Sequence, residues 1–253
     1  MQATSPVVVA LTREEGKNGK LEAELSIVLG DTDGVIVREL PCIAHADGAD
    51  FDQLAPTLER KWDYVAITSP EAARVLSQVW MGGDDMPSVA AVGKATQATL
   101  EKLGIPVDFC PSKATAATLV EELPSKGDKT TLLYPASTKA ASTLEDGLVA
   151  RGFEVTRLNA YDTVTAEWTS EEKILAASVQ VACFGSPSAV KGWLTNTGDN
   201  KEVLAACIGE TSATECRKQQ WHEDNIFYPE KPGIPGWAAS VKEALETIQV
   251  AHT

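Results

Sequence analysis

At 253 residues, 43% of them hydrophobic and 23% charged, the chain is long enough for two modest cores and too apolar for a disordered polymer. A formal charge of −14 opposes extended contact with nucleic-acid phosphates. No run approaches the ~18 apolar residues of a membrane span, and Met1 to Pro6 lacks the basic and apolar blocks of a secretory signal. Neither nucleic acid nor membrane is expected as a partner.

In chain order, strands are predicted at Val7–Leu11, Val35–Leu40, Tyr64–Thr68, Ala90–Gly93, Thr131–Tyr134, Glu154–Leu158, Val181–Gly185 and Ala205–Gly209. Most run into a Gly, Ser or Thr turn and then a stretch of helical periodicity, the alternation of an α/β fold with parallel strands. The five cysteines are odd in number and never spaced Cys-x-x-Cys, so reduced thiols are expected, with Cys42, Cys183 and Cys207 in apolar runs. His45, His222 and His252 stand alone, and no cluster has metal-ligand spacing, so no metal is implied.

The chain repeats itself. Tyr64-Val-Ala-Ile-Thr-Ser-Pro-Glu-Ala72 overlays Val181-Ala-Cys-Phe-Gly-Ser-Pro-Ser-Ala189, and Ala91-Val-Gly-Lys-Ala-Thr96 overlays Cys207-Ile-Gly-Glu-Thr-Ser212. Gly93 follows Ser69 by 24 residues and Gly209 follows Ser186 by 23. Phe109-Cys-Pro-Ser-Lys113 then answers Phe227-Tyr-Pro-Glu-Lys231, with helices predicted at Ala116–Leu123 and Trp237–Ile248. A fainter repeat pairs Val7–Arg38 with Thr131–Arg157. With the fainter repeat called A and the stronger B, the order is A, B, A, B. This predicts two similar lobes, each a small parallel sheet with helices on both faces. The residues leave open which A joins which B.

Ligands of open parallel sheets bind beyond the carboxyl ends of the strands, where turns and helix N-termini present free N–H groups. Ser69-Pro70 and Ser186-Pro187 fit an N-cap serine followed by a first-turn proline, with Ser188 one residue further on. Ordinary helix caps would look the same. Gly93 to Thr96 and Gly209 to Ser212, including Thr211, combine a close-approach glycine with hydroxyls and suit an anion. Arg13, Lys17, Lys20, Lys94, Lys113, Lys139, Lys191 and Lys231 supply cations at turns, although solvated lysines give the same pattern. Tyr161 is the remaining singular residue. A phenol stays protonated at neutral pH and can donate a proton, although a lone tyrosine is more often a packing residue. No dinucleotide fingerprint, P-loop or nucleophile elbow is present.

Leu11-Thr-Arg13, Thr68-Ser-Pro-Glu-Ala72, Val92-Gly-Lys-Ala-Thr96, Tyr161-Asp-Thr163, Ser186-Pro-Ser-Ala189 and Ile208-Gly-Glu-Thr-Ser212 together resemble the uroporphyrinogen-III synthase family over nearly the whole chain. Leu133-Tyr-Pro-Ala-Ser137 and Tyr228-Pro-Glu-Lys-Pro-Gly233 resemble its plant and algal branch, which implies a plastid stroma reached by a cleaved transit peptide.

The resemblance implies that the first A joins the last B. The lobes would then be 1–38 plus 166–253 and 46–157, joined by a two-strand hinge at 39–45 and 158–165 with a ligand cleft between them. It further implies cyclisation of hydroxymethylbilane to uroporphyrinogen III through a spiro intermediate with loss of water, no cofactor, a monomer, and a transient contact with the bilane-forming enzyme. Tyr161 would be catalytic. Arg13, Lys17, Ser69, Gly93, Thr96, Ser186, Ser188, Gly209, Thr211 and Ser212 would bind substrate. Ser212 stands where relatives carry threonine, which keeps the hydroxyl without the rotamer-fixing methyl. The alternatives are a non-catalytic two-lobed module for a polyanionic small molecule and a sugar or nucleotide transferase, the latter lacking a recognisable acidic base or metal pair.

Overall fold

The structure, a computed structural model, describes residues 6–30, 34–83 and 85–250; His252 and Met1 to Ser5 lie outside them. From the amino end the elements are β1 (Val7–Leu11), α1 (Gly19–Leu29), β2 (Val35–Glu39), β3 (Ile43–Asp47), α2 (Phe51–Leu58), β4 (Tyr64–Ile67) and α3 (Pro70–Ser77). There follow β5 (Ser88–Ala91), α4 (Lys94–Lys102), α5 (Ala116–Glu122), β6 (Thr130–Ser137), α6 (Thr143–Ala150) and β7 (Phe153–Thr165). The last stretch holds α7 (Ser170–Ala177), β8 (Val179–Phe184), α8 (Pro187–Thr197), β9 (Leu204–Cys207), α9 (Glu210–Lys218), β10 (Ile226–Phe227) and α10 (Ile234–Val250).

The chain divides into two compact units, Met1–Ala44 with Val164–Thr253, and His45–Thr163. Unit 1 carries a sheet of order β10-β9-β8-β1-β2 and unit 2 one of order β3-β7-β6-β4-β5. The first A repeat therefore shares a sheet with the last B repeat, and the middle B with the second A. The strand pairs β1/β2, β1/β8, β8/β9, β9/β10, β4/β5, β4/β6 and β6/β7 are all parallel.

Alternation along the central strands explains why their sequences read as continuous apolar runs. Val8, Ala10, Ala182, Phe184 and Cys207 face one core of unit 1, beneath α7, α8 and α9. Val9, Leu11, Val181, Cys183 and Ala206 face the other, beneath α1 and α10. Unit 2 repeats the plan, with Val65 and Ile67 toward α2, α3 and α4. Tyr64 and Ala66 turn toward α5 and α6. Both faces are buried, so neither face needs polar residues.

Several elements differ from the strands read from periodicity alone. β3 is missing from those strands, because Ile43-Ala-His-Ala-Asp47 carries His45 and Asp47 where an apolar run would be expected; only the resemblance implied a connecting strand nearby, at 39–45. β10 is only two residues long. β7 runs past the apolar stretch that ends at Leu158, through Asn159, Asp162 and Thr163 to Thr165, over the segment 158–165 for which the resemblance alone implied a connecting strand. Among the described residues no helix is long and apolar enough to cross a membrane.

Candidate active site

In unit 2, Ser69 caps α3 as its sequence predicts. Its hydroxyl accepts the Ala72 N–H at 3.0 Å, and Pro70 takes the first helical position, where its missing N–H costs nothing. The same hydroxyl lies 2.7 Å from the Tyr161 hydroxyl. Since Ser69 Oγ already accepts from Ala72, its own proton is free to go to Tyr161 Oη. The tyrosine proton is then left for a ligand.

Tyr161 is aimed by an irregularity in β7. Pairing with β6 runs Ala136 to Asn159 and then Ser137 to Tyr161, so Ala160 is skipped, and a bulge of this kind re-aims the side chain beside it. The turn after β3 clamps the bulge. Gly48 donates to the Ala160 carbonyl at 3.0 Å, Asp50 N–H donates to the Asn159 carbonyl at 3.1 Å, and the Asp50 carboxylate accepts the Asn159 N–H at 2.9 Å. Thr138 N–H holds the Tyr161 carbonyl at 2.9 Å.

The Tyr161 ring is 6% exposed. Burial pushes its phenol above the usual tyrosine range; the Ser69 hydrogen bond pulls it partly back, and Tyr134 and Glu71 push it up further. The phenol is therefore protonated at neutral pH. His45 packs on the tyrosine ring edge-on, with centroids 6.1 Å apart and planes at 80°. His45 Nε2 also lies 3.7 Å from Glu71 Oε2, which Arg74 meets at 2.9 Å.

Gly93 and Thr96 follow β5, beside the strand that leads to Ser69, and the Val92 N–H ties the two turns together through the Ile67 carbonyl at 2.8 Å. Gly93 has φ of 86°, and a Cβ there would come within 2.9 Å of the Ala114 Cβ, so glycine is required. Thr96 is buried, and among the described residues its hydroxyl has no hydrogen-bond partner. Neither residue bonds to Tyr161. Lys139 is committed elsewhere, to Asp162 at 3.2 Å and to the Thr163 carbonyl.

Unit 1 gathers the other predicted residues at the carboxyl ends of the neighbouring strands β1, β8 and β9. The turn from Thr12 to Asn18 is built from inside. Thr12 donates to the Cys183 carbonyl at 2.6 Å, and Asn18 bonds both the N–H and the carbonyl of Arg13 at 3.3 Å. Glu39 accepts from Gly16 N–H at 3.0 Å and from Asn18 at 2.6 Å. The Gly16 N–H of this turn is thus occupied by an internal carboxylate. Arg13 is half-buried, its stem lies over Gly185, and among the described residues its guanidinium pairs with no acid. Lys17 sits in the same turn, its N–H on the Glu14 carbonyl at 3.0 Å.

Ser186 caps α8 by accepting the Ala189 N–H at 3.2 Å, with Ser188 in the first turn. Among the described residues the Ser186 hydroxyl makes no other bond. Gly209 precedes α9, and Ser212 is buried there with its hydroxyl unpartnered among the described residues, while Thr211 is exposed. Unlike Gly93, Gly209 has an extended backbone. Lys191 is paired with Glu215 at 3.6 Å.

Among the described residues no group of three or more His, Cys, Asp or Glu side chains could hold a metal ion. A groove of about 590 Å³ lies at the amino ends of β8 and β9, lined by Gln180, Leu204 and Asp224 among others. It contains none of the predicted site residues. Sequence reasoning missed the residues that position Tyr161, namely Gly48, Asp50, His45 and Glu71. The Asp47-Gly48 turn signal could have pointed to the first of them.

A family model described as uroporphyrinogen-III synthase HemD matches residues 28–239. A chloroplastic uroporphyrinogen-III synthase of rice, Oryza sativa subsp. japonica, is 41% identical over 95% of this chain and 81% of its own length. One of Chlorobaculum parvum is 28% identical over 71% of this chain and 72% of its own. Among solved structures, uroporphyrinogen-III synthetase of Helicobacter pylori superposes with a TM-score of 0.60 at 17% identity, covering 96% of this chain and 99% of that one. A mutant enzyme from Thermus thermophilus gives 0.55 at 20%, covering 95% and 99%. These two similarities bear on the fold alone and agree with it. The sequence matches set aside the non-catalytic binding module, and the chain belongs to the uroporphyrinogen-III synthase family.

Proposed function

We propose that the chain cyclises hydroxymethylbilane to uroporphyrinogen III, with Tyr161 giving its proton to the departing hydroxyl group. The observation that carries this assignment is the 2.7 Å contact between Tyr161 Oη and Ser69 Oγ. The serine accepts the Ala72 N–H as a cap and keeps its own proton to give to the phenol oxygen, an arrangement in which the phenol's proton goes to the substrate.

In the proposed step the terminal carbon–oxygen bond of the bilane breaks as a pyrrole nitrogen lone pair forms an azafulvene, and the hydroxide leaves as water with the Tyr161 proton. The substituted carbon of the last ring then attacks to form the spiro intermediate. Fragmentation and reclosure invert that ring, and the proton released as it regains aromaticity balances the one that was donated. A phenol held above its ordinary range by burial suits this task, because it is protonated throughout neutral pH.

The unpartnered groups then serve to seat the substrate's acetate and propionate arms. Thr96 and Ser212 offer hydroxyls and Arg13 a fork of donors, together with Ser186, Ser188, Thr211, Lys17 and the glycine turns at Gly93 and Gly209. Seating of this kind relies on local donors, which is compatible with a net charge of −14. The plastid is the proposed compartment, supported by the chloroplastic rice relative.

The experiment supplies hydroxymethylbilane, oxidises the products and separates type I from type III isomers. Type III product from the wild type and a kcat about 10²-fold lower in Tyr161→Phe are expected, within the range for a general acid. Type I alone from the wild type would sink the reading.

A further inference from the structure

We infer that His45, anchored by Glu71, is a positioning residue for Tyr161 that fixes the plane of its ring while Ser69 fixes its hydroxyl. This rests on the reading of Tyr161 as the proton donor. The Ser69 contact holds the phenol at one point, Oη, and does not by itself set the plane of the ring, which is buried in the core of unit 2. The second constraint is His45, packed edge-on at 6.1 Å and 80°, an arrangement aromatic pairs favour.

The contacts close on themselves. Ser69 and Glu71 belong to the same helix start, at the cap and in the first turn of α3. Ser69 reaches the Tyr161 hydroxyl, Glu71 reaches His45 Nε2 at 3.7 Å, and His45 reaches the Tyr161 ring. Arg74, one turn further along α3, meets Glu71 at 2.9 Å and holds that carboxylate in place. His45 itself lies on β3, whose following turn clamps the Ala160 bulge through Gly48. One strand and turn thus hold both the backbone and the ring of Tyr161. A residue needed only for bulk at position 45 would have no use for a carboxylate on α3 beside its Nε2.

The test is a double-mutant cycle read in kcat and KM, with initial type III product measured. His45→Ala is expected to lower kcat about tenfold with KM nearly unchanged, since a small misplacement of a reacting group costs rate rather than binding. Introduced into Tyr161→Phe, the same change is expected to cost nothing more, because its target is already gone. His45→Phe fills the same space but cannot meet Glu71, and is expected to fold normally and lower kcat severalfold. Wild-type turnover in both single variants, or a full further tenfold loss in the Tyr161→Phe background, would overturn the inference. Wild-type turnover in Tyr161→Phe alone would instead overturn the assignment of Tyr161.

Discussion

Gly48 lies so close to Asn159 that a Cβ at position 48 would come within 2.0 Å of the Asn159 carbonyl oxygen, which is backbone and cannot swing aside. Gly48→Ala therefore must push the turn after β3 away from β7 and break the hydrogen bond that holds the Ala160 bulge. A loss of about 1–3 kcal/mol, or more, is expected for such overpacking. A lowered Tm accompanied by a fall in kcat larger than in KM is the expected outcome. An unchanged Tm would show that the bulge does not depend on this contact.

The pH profile of turnover follows from the protonation of Tyr161. Burial raises the phenol above its ordinary value of about 10, so the donor form persists past that pH and the alkaline limb of kcat lies beyond it. Ser69 opposes the rise, so Ser69→Ala is expected to move the limb further upward while lowering kcat through lost orientation. The measurement is kcat against pH for both proteins. A limb moving downward in Ser69→Ala would contradict the sign of that contact.

Arg13 should act on binding more than on chemistry. Arg13→Ala is expected to raise KM about tenfold with kcat little changed, and Arg13→Lys to recover only part of it, because an ammonium lacks the planar fork. Gly185→Ala offers a second route, since its new methyl would lie 2.9 Å from the Arg13 Cγ and displace the stem. The two variants should share a KM effect in steady-state kinetics.

The thiols give a test of the fold. Cys42, Cys183, Cys207 and Cys216 are buried and Cys110 is half-buried. A thiol reagent should modify Cys110 first and the other four only on unfolding. Burial pushes Cys42 and Cys183 far up, and the Cys216 thiol 3.7 Å away, together with burial, does the same for Cys207. Folded thiols that stay protonated while unfolded ones ionise near 8.5 make the native state bind more protons above that pH. Their contribution to stability is thus complete below about 8.5 and is lost as pH rises beyond it. Urea midpoints at pH 7 and pH 9.5 measure the loss, and Cys183→Ser should reduce the difference.

The repeats carried the architecture in the sequence, because a doubly buried strand must be an apolar run and a parallel crossover must be a helix. The serine caps were legible for the same local reason, since Ser-Pro at a helix start needs only its own neighbours. Tyr161 stood out as a donor only through resemblance. What aims it, the skipped Ala160, leaves no trace in Asn159-Ala-Tyr161, and its supports at His45, Gly48 and Ser69 are distant in sequence. Periodicity alone hid β3 because His45 and Asp47 interrupt its pattern, and the histidine that obscured the strand is the one packed against the Tyr161 ring.

The twin helix caps have taken on unequal duties. Both serines spend one lone pair on the helix that follows, but the Ser69 hydroxyl also meets another side chain of its own unit, Tyr161, and among the described residues the Ser186 hydroxyl makes no second bond. The copy facing a tyrosine is tied into the interior of its unit, while its counterpart keeps a hydroxyl whose single bond is the helix cap.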